Sequence, residues 1–235
     1  MIVMAKVDGR QFASDLVVSH KSMIAEIARL AACTSANAAA SAPTMDHESA
    51  TLVAEWFERF ARMVHHHHTA EDDDVFPLLA QRDTSFVDSR KALEEDHGAL
   101  TVAMTAVATA LAALRDDCAE PERTLRTRTL AARAADLHAT LDAHLAREEA
   151  AILERMSRDL TTKDIAGFER KNFKRYNRHD IAWSVSWILE SSHGADRDAM
   201  IKRVPWPLRA MHRLFWQANY RRLTAPLGPY RAAVK

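Results

Sequence analysis

Residues 65–74 read HHHHTAEDDD, four histidines that are followed almost at once by four acidic residues. The run lies between WFERFARMV at 56–64 and VFPLL at 75–79, which both carry the hydrophobic residues of a folded core. Imidazole and carboxylate groups are common ligands of transition metals. The run therefore raises the question of which of its histidines take part in chemistry.

An internal repeat separates these histidines from one another. Two histidines 47 residues apart, with a glutamate four residues after the second, occur twice at an offset of 77 residues. The first copy is His20, His67 and Glu71, and the second copy is His97, His144 and Glu148. Apolar positions repeat at the same offset, as in the pairs Leu16 and Leu93, and Phe60 and Leu137. Each half of the repeat is therefore predicted to form one helical hairpin.

Four long segments have the composition and hydrophobic spacing of helices. They cover roughly residues 15–32, 45–72, 88–115 and 121–156. Pro77 is expected to stop or kink the second helix, and Pro121 suits the first turn of the fourth. Because the connections are short, the sequence predicts an all-α protein with an antiparallel four-helix bundle over residues 10–156.

The four-residue spacing has a structural meaning. Residues i and i+4 lie on the same face of a helix, so His67 and Glu71 project together, as do His144 and Glu148. If the four helices turn these faces inward, four imidazoles and two carboxylates meet in the middle of the bundle. A buried glutamate is costly unless a cation compensates its charge. The pattern therefore favours a site for two first-row transition metals, with carboxylates that can span both.

The arrangement H…HxxxE…H…HxxxE on four bundled helices resembles the hemerythrin-like, or HHE cation-binding, family. The sequence Val75-Phe76-Pro77-Leu78 after the second-helix acid is similar to that family as well. The resemblance implies a non-haem centre of two iron ions with an oxo or hydroxo bridge. Carried over to this chain, His20 and His67 would bind one iron and His97 and His144 the other. Glu71 and Glu148 would bridge the two ions.

One position departs from the oxygen-carrying hemerythrins, which have a further histidine four residues after the third-helix ligand. Here that position is Thr101. Two histidines per iron would leave an open site, which suits redox turnover better than reversible oxygen storage. The expected function is the binding and catalase-like decomposition of peroxide or related oxidants. The alternative is a non-enzymatic protein that senses or binds iron, oxygen or nitric oxide.

Several neighbouring residues have less specific interpretations. His68 stays open as an extra ligand, because Asp72 lies four residues after it. His65 and His66 are expected to be solvated, and Asp72 and Glu149 to be surface or cap charges. The histidines without a partner by spacing are expected to be structural: His47, His138, His179, His193 and His212.

The second part of the chain differs in composition from the first. Residues 1–156 hold 16 Lys and Arg against 25 Asp and Glu, whereas residues 157–235 hold 16 against 7. The net charges are thus −9 and +9, and four of the five tryptophans lie in the basic part. We expect residues 157–235 to form a helical extension packed on or beside the bundle, through which the chain forms oligomers. The alternative is a basic, Trp-rich surface for an acidic partner or a membrane face.

Composition also limits the cellular setting. No segment approaches the ~20 apolar residues of a membrane span, and the first residues, MIVMAKVDGRQF, have too short an apolar run for a secretory signal. Cys33 and Cys118 form no disulfide framework and no CxxC motif. These features predict a cytoplasmic protein, and no nucleic-acid partner is expected. A small-molecule ligand such as peroxide, oxygen or nitric oxide is what the family resemblance implies.

Overall fold

The computed structural model describes residues 7–39 and 45–228, and in this part of the chain every regular element is a helix. The four long helices are α1 (Gly9–Ala38), α2 (His47–Ala70), α4 (Val87–Ala113) and α5 (Glu120–Asp159). Helix α1 packs on α5, α5 packs on α4, and α4 packs on α2. The predicted all-α helical bundle is confirmed.

Near Pro77, where a stop or kink was expected, the chain continues as a helix as far as Arg82. A π-helical turn (Glu71–Val75) continues α2 and leads into α3 (Phe76–Arg82), which is followed by a 3₁₀ turn (Thr84–Phe86). In the π turn the N–H of Phe76 donates to the carbonyl of Glu71, five residues back. Pro77 lies in the first turn of α3, where a missing N–H is tolerated. Single π turns of this kind are frequent at functional sites.

Helix α1 is longer at both ends than the sequence suggested. Asp8 caps its first turn by accepting a hydrogen bond from the N–H of Gln11 at 2.9 Å, so Asp15 is not the cap. Its other end runs through the alanine-rich stretch to Ala38, since alanine favours helix. Residues 40–44 of the predicted loop lie outside the described residues.

Residues after α5 form five more helices. They are α6 (Thr162–Arg175), α7 (Arg178–Ser191), α8 (Gly194–Arg203), α9 (Trp206–Met211) and α10 (Gln217–Thr224), with a π turn (His212–Trp216) before α10. Trp183 and Trp187 of α7 and Tyr220 of α10 lie in the same hydrophobic cluster as Trp56 and Phe60 of α2. The extension therefore completes the core of the bundle.

Ion pairs join the acidic bundle to the basic extension. Arg203 Nε lies 2.7 Å from Asp15 Oδ2, and Asp74 accepts hydrogen bonds at 2.6 Å from both Lys171 and Arg175 of α6. Part of the opposite charge of the bundle and the extension is thus neutralised by ion pairs between them. The extension also exposes Trp206, Leu214 and Phe215, and the oligomer expected through it stays a prediction. None of the described helices is long and apolar enough to cross a membrane.

Replacing Asp74 with asparagine tests how strongly α6 is held. Burial opposes ionisation of Asp74, but hydrogen bonds from Lys171 and Arg175 outweigh it and lower the pKa of Asp74. Asp74→Asn is expected to lower the free energy of unfolding by about 1–3 kcal/mol at pH 7, measured by urea denaturation. A carboxyl whose pKa is lowered by folding stabilises the fold above its unfolded pKa of about 3.9. The difference between the two proteins should therefore shrink as the pH falls below about 4.

Asp73→Asn is the matched control for this experiment. Asp73 is exposed and lies 3.2 Å from Arg175, so its loss should cost about 0.5 kcal/mol or less. Equal destabilisation by the two substitutions would contradict the assignment of the anchor to Asp74.

Candidate metal centre

The seven candidate side chains come from four helices and one π turn and meet in the middle of the bundle. One group consists of His20 on α1, His67 on α2, Glu71 in the π turn and Glu148 on α5. The second group consists of His68 on α2, His97 on α4 and His144 on α5. Within each group, one nitrogen or oxygen atom of every side chain lies within 4.8 Å of the others. We call these the four-residue group and the three-histidine group.

The structure brings together the histidine pairs that the repeat selected. The Nε2 atoms of His20 and His67 lie 3.2 Å apart, and the ring centroids of His97 and His144 lie 4.8 Å apart. The adjacent residue His68 is the member that the repeat missed. Its ring stacks on His97 with centroids 4.0 Å apart and meets His144 edge-on.

Adjacent histidines can serve different groups because successive residues on an α-helix point about 100° apart. The three-histidine group thus contains His68, which the sequence had left open, beside the two histidines that the repeat selected. Its third imidazole comes from the second helix, and Thr101 instead donates its hydroxyl to the carbonyl of His97 at 2.9 Å.

The two glutamates lie between the groups. Glu71 Oε1 is 3.0 Å from Nε2 of His67, and its Oε2 is 3.9 Å from Nε2 of His97. Glu148 Oε2 is 3.6 Å from Nε2 of His20 and 3.5 Å from Nε2 of His144. Each carboxylate thus reaches one histidine of each group, as a ligand that bridges two ions must.

Two further carboxylates orient the histidines. His20 donates from Nδ1 to Glu149 at 3.0 Å, and His97 donates from Nδ1 to Asp72 at 2.9 Å. Both bonds leave Nε2 free to face the site, which is the usual arrangement around a metal-binding histidine. Asp72 and Glu149 were expected to be surface or cap charges; they keep 34% and 31% of their side-chain surface exposed, but each also bonds to a histidine of the site. They are 77 residues apart in the sequence, so the repeat already contained the signal.

The other histidines lie outside both groups. His65 is exposed, as expected. His66 is half-buried rather than solvated, because its ring packs on Tyr176 at 4.7 Å and its Nε2 lies 3.7 Å from Asp180. His212 is buried and bonded to Ser186, which fits the structural role expected for it.

The electrostatics of the site favour a bound cation. Burial raises the pKa of Glu71 to about 8, and burial together with the neighbouring Glu71 raises the pKa of Glu148. Burial also lowers the pKa of His67 and His144 to about 4 and lowers that of His68, so these three imidazoles supply little positive charge to balance the carboxylates. Nε2 of His68, His97 and His144 has no hydrogen-bond partner among the described residues. Five imidazoles and two carboxylates around one buried centre fit transition-metal cations such as iron.

These observations define the class of protein: a helical bundle that holds cations with histidines and carboxylates from its core. The model of the hemerythrin HHE cation-binding domain matches residues 12–159, and the chain belongs to that family. Neither the curated proteins nor the solved structures contain a match to this chain. The family match ends where α5 ends, so α6 to α10 lie outside it.

Metal content of purified variants tests the ligand assignment. The full chain, purified anaerobically, is expected to carry about two irons, and His67→Ala, His68→Ala and His144→Ala should each reduce that number because each removes a donor atom. Inductively coupled plasma mass spectrometry measures the ratio. His65→Ala is the control, since His65 belongs to the same histidine run but is exposed. If His67→Ala or His144→Ala retains both metals, the ligand assignment is wrong. If only His68→Ala retains both metals, His68 is not a ligand.

The orienting carboxylates give a second prediction. Asp72→Asn and Glu149→Gln are each expected to weaken iron affinity by about 10–100-fold, because they loosen His97 and His20. Competition with a chelator of known affinity measures the change. Glu154→Gln on the exposed side of α5 should leave affinity unchanged. If Asp72→Asn and Glu149→Gln bind iron as tightly as Glu154→Gln does, the two carboxylates do not support the ligands.

Proposed function

We propose that the protein is a non-haem di-iron protein of the hemerythrin-like type that binds and decomposes peroxide or related oxidants. His20 and His67 would hold one iron, and His68, His97 and His144 the other, with Glu71 and Glu148 between them. When bound, the two ions supply reversible ferrous–ferric redox chemistry at the site. The single observation that carries the proposal is that the two glutamates each reach both groups of histidines.

The two groups differ in the donors they offer. An open site was inferred from the threonine at position 101, where oxygen carriers have a histidine. His68 supplies a third imidazole to the three-histidine group, so that inference does not hold for this group. The four-residue group has only two imidazoles and borders a cavity through His67 and Glu71. A small oxidant therefore has an approach on this side, and this opening now supports turnover in place of the Thr101 argument.

Tyr176 is a candidate proton donor on the same side. It lines the cavity together with His67, and burial raises the pKa of its hydroxyl to about 12. The phenol therefore keeps its proton at neutral pH and can donate a hydrogen bond to a ligand. Apolar side chains such as Met23 and Ile152 line the rest of the cavity and limit the entry of water.

Oxygen evolution tests the enzyme proposal. Iron-loaded protein is expected to release oxygen from added hydrogen peroxide faster than the same concentration of free iron, because bound iron is held in one fixed ligand set. A Clark-type electrode measures the rate, and His67→Ala should abolish the excess. His65→Ala serves as the control. A rate no higher than that of free iron, together with a reversible spectral change on adding oxygen or nitric oxide, would contradict the enzyme proposal.

That second result would favour the alternative function, a non-enzymatic sensor or binding protein for iron, oxygen or nitric oxide. One contact between the metal site and the extension favours this alternative. The π turn that contains Glu71 also contains Asp74, which is bonded to Lys171 and Arg175 of α6. Asp74 lies three residues after Glu71 in the same turn, so a movement of Glu71 would be transmitted through Asp74 to α6. The cytoplasmic location of the protein stays a prediction.

A further inference from the structure

A cavity of about 240 Å³ lies beside the four-residue group. His67 and Glu71 form part of its lining. His67 keeps 13% of its side-chain surface exposed, whereas His20 and Glu148 keep none and Glu71 keeps 4%. The site is thus most accessible from this cavity.

The wall of the cavity has two sources. Helices α1 and α5 contribute apolar side chains such as Leu16 and Ile152. Asn172 of α6, Tyr176 between α6 and α7, and Trp187 of α7 form the other wall. These last three residues lie beyond residue 159, where the family match ends. The extension therefore gives this chain a cavity wall that the matched domain alone does not provide.

The size of the cavity exceeds what an oxidant of two oxygen atoms needs. An apolar cavity of roughly 150 Å³ is large enough to take up benzene. The larger volume here, lined mainly by apolar side chains, has room for an organic molecule at least as large as a benzene ring.

The charges around the cavity favour a neutral ligand. Arg203 and Asp15 both line it, but they pair with each other at 2.7 Å. Arg203 also donates to Glu169 at 2.8 Å. Because Arg203 and Asp15 compensate each other, this pair offers no net charge to offset the hydration that a charged ligand loses on entry.

Two polar atoms favour a ligand that can both donate and accept a hydrogen bond. Asn172 Oδ1, an acceptor, and Trp187 Nε1, a donor, are buried and have no hydrogen-bond partner among the residues that the structure describes. Both side chains line the cavity. A hydroxyl-type group can satisfy either atom, which a hydrocarbon cannot do.

We propose that this cavity binds a small neutral organic molecule with an apolar body and one hydroxyl or hydroperoxide group. The apolar body lies against the side chains of α1 and α5, and the polar group interacts with Asn172 or Trp187. This goes beyond the proposed function, because such binding requires no turnover of peroxide. The extension is then the element that determines which organic ligands reach the metal centre.

Calorimetry with three probes on the iron-loaded full chain tests the proposal. Benzyl alcohol carries the ring and the hydroxyl, toluene lacks the hydroxyl, and benzoate is anionic. Benzyl alcohol is expected to bind about tenfold more tightly than either of the others. Ser184→Leu fills part of the cavity and should abolish binding, whereas Ala218→Leu on the exposed side of α10 should not change it. Thermal unfolding of both variants checks that the fold is retained.

Asn172→Leu provides a second test that does not depend on filling the cavity. It removes the acceptor at similar volume and should narrow the difference in affinity between benzyl alcohol and toluene, since only Trp187 Nε1 is then left to bond the hydroxyl. Absence of benzyl alcohol binding, or unchanged binding in a folded Ser184→Leu variant, would overturn the proposal. Tighter binding of benzoate would overturn the neutral ligand class. Because none of the probes is a peroxide, these results are independent of whether the protein decomposes peroxide.

Discussion

The burial of two glutamates at the centre of the bundle is the constraint on which the rest of the structure depends. Glu71 and Glu148 are almost fully buried, and each lies within 4 Å of a histidine from both groups. Burial disfavours their ionised forms, so a nearby cation is the most direct way to keep both carboxylates charged. The ligand atoms come from α1, α2, α4 and α5, and a bound cation would hold these four helices to one another. Metal binding and bundle stability are therefore expected to be linked.

The two hairpins are related by an approximate exchange of their ligands. The exchange converts His20 into His97, His67 into His144 and Glu71 into Glu148, which are the residues 77 apart. It extends to the orienting carboxylates, since Asp72 of the first hairpin binds His97 of the second, and Glu149 of the second binds His20 of the first. Each hairpin thus orients a histidine of the other. This crossing explains why neither hairpin alone can form the complete site.

One histidine of the site has no equivalent in the other hairpin, and this difference makes the two groups chemically different. The residue 77 positions after His68 is Leu145, which is buried in the hydrophobic core. The first hairpin therefore supplies an imidazole to the three-histidine group, and the second hairpin supplies none to the four-residue group. An ion with three imidazoles and an ion with two would differ in open positions. The cavity lies on the side of the group with fewer imidazoles.

Sequence reasoning identified most of the features that repeat, left His68 open, and missed the role of Asp72 and Glu149. The bundle, both histidine pairs and both central glutamates follow from an offset that any two copies of a hairpin would share. His68 could not be found this way because its counterpart is a leucine. Asp72 was discounted because it sits in a run of acids, which usually indicates a solvated face.

Local patterns also failed where long-range contacts decide the outcome. The first helix was expected to begin at Asp15, but Asp8 caps it, and Asp15 instead pairs with Arg203, 188 positions further along the chain. Pro77 predicts a stop or kink by local rules, yet the preceding π turn keeps the chain helical.

The π turn shows how the metal site and the extension are joined. Its first four residues have separate partners: Glu71 reaches the histidines, Asp72 binds His97, and Asp73 and Asp74 bind α6. Four successive residues on a helix point around its whole circumference, so one short segment can contact the site, α4 and the extension at once. This turn would be stabilised at two residues, because a bound cation would hold Glu71 and α6 holds Asp74. The acidic run after the histidines therefore connects the metal site to the extension and does more than separate α2 from Pro77.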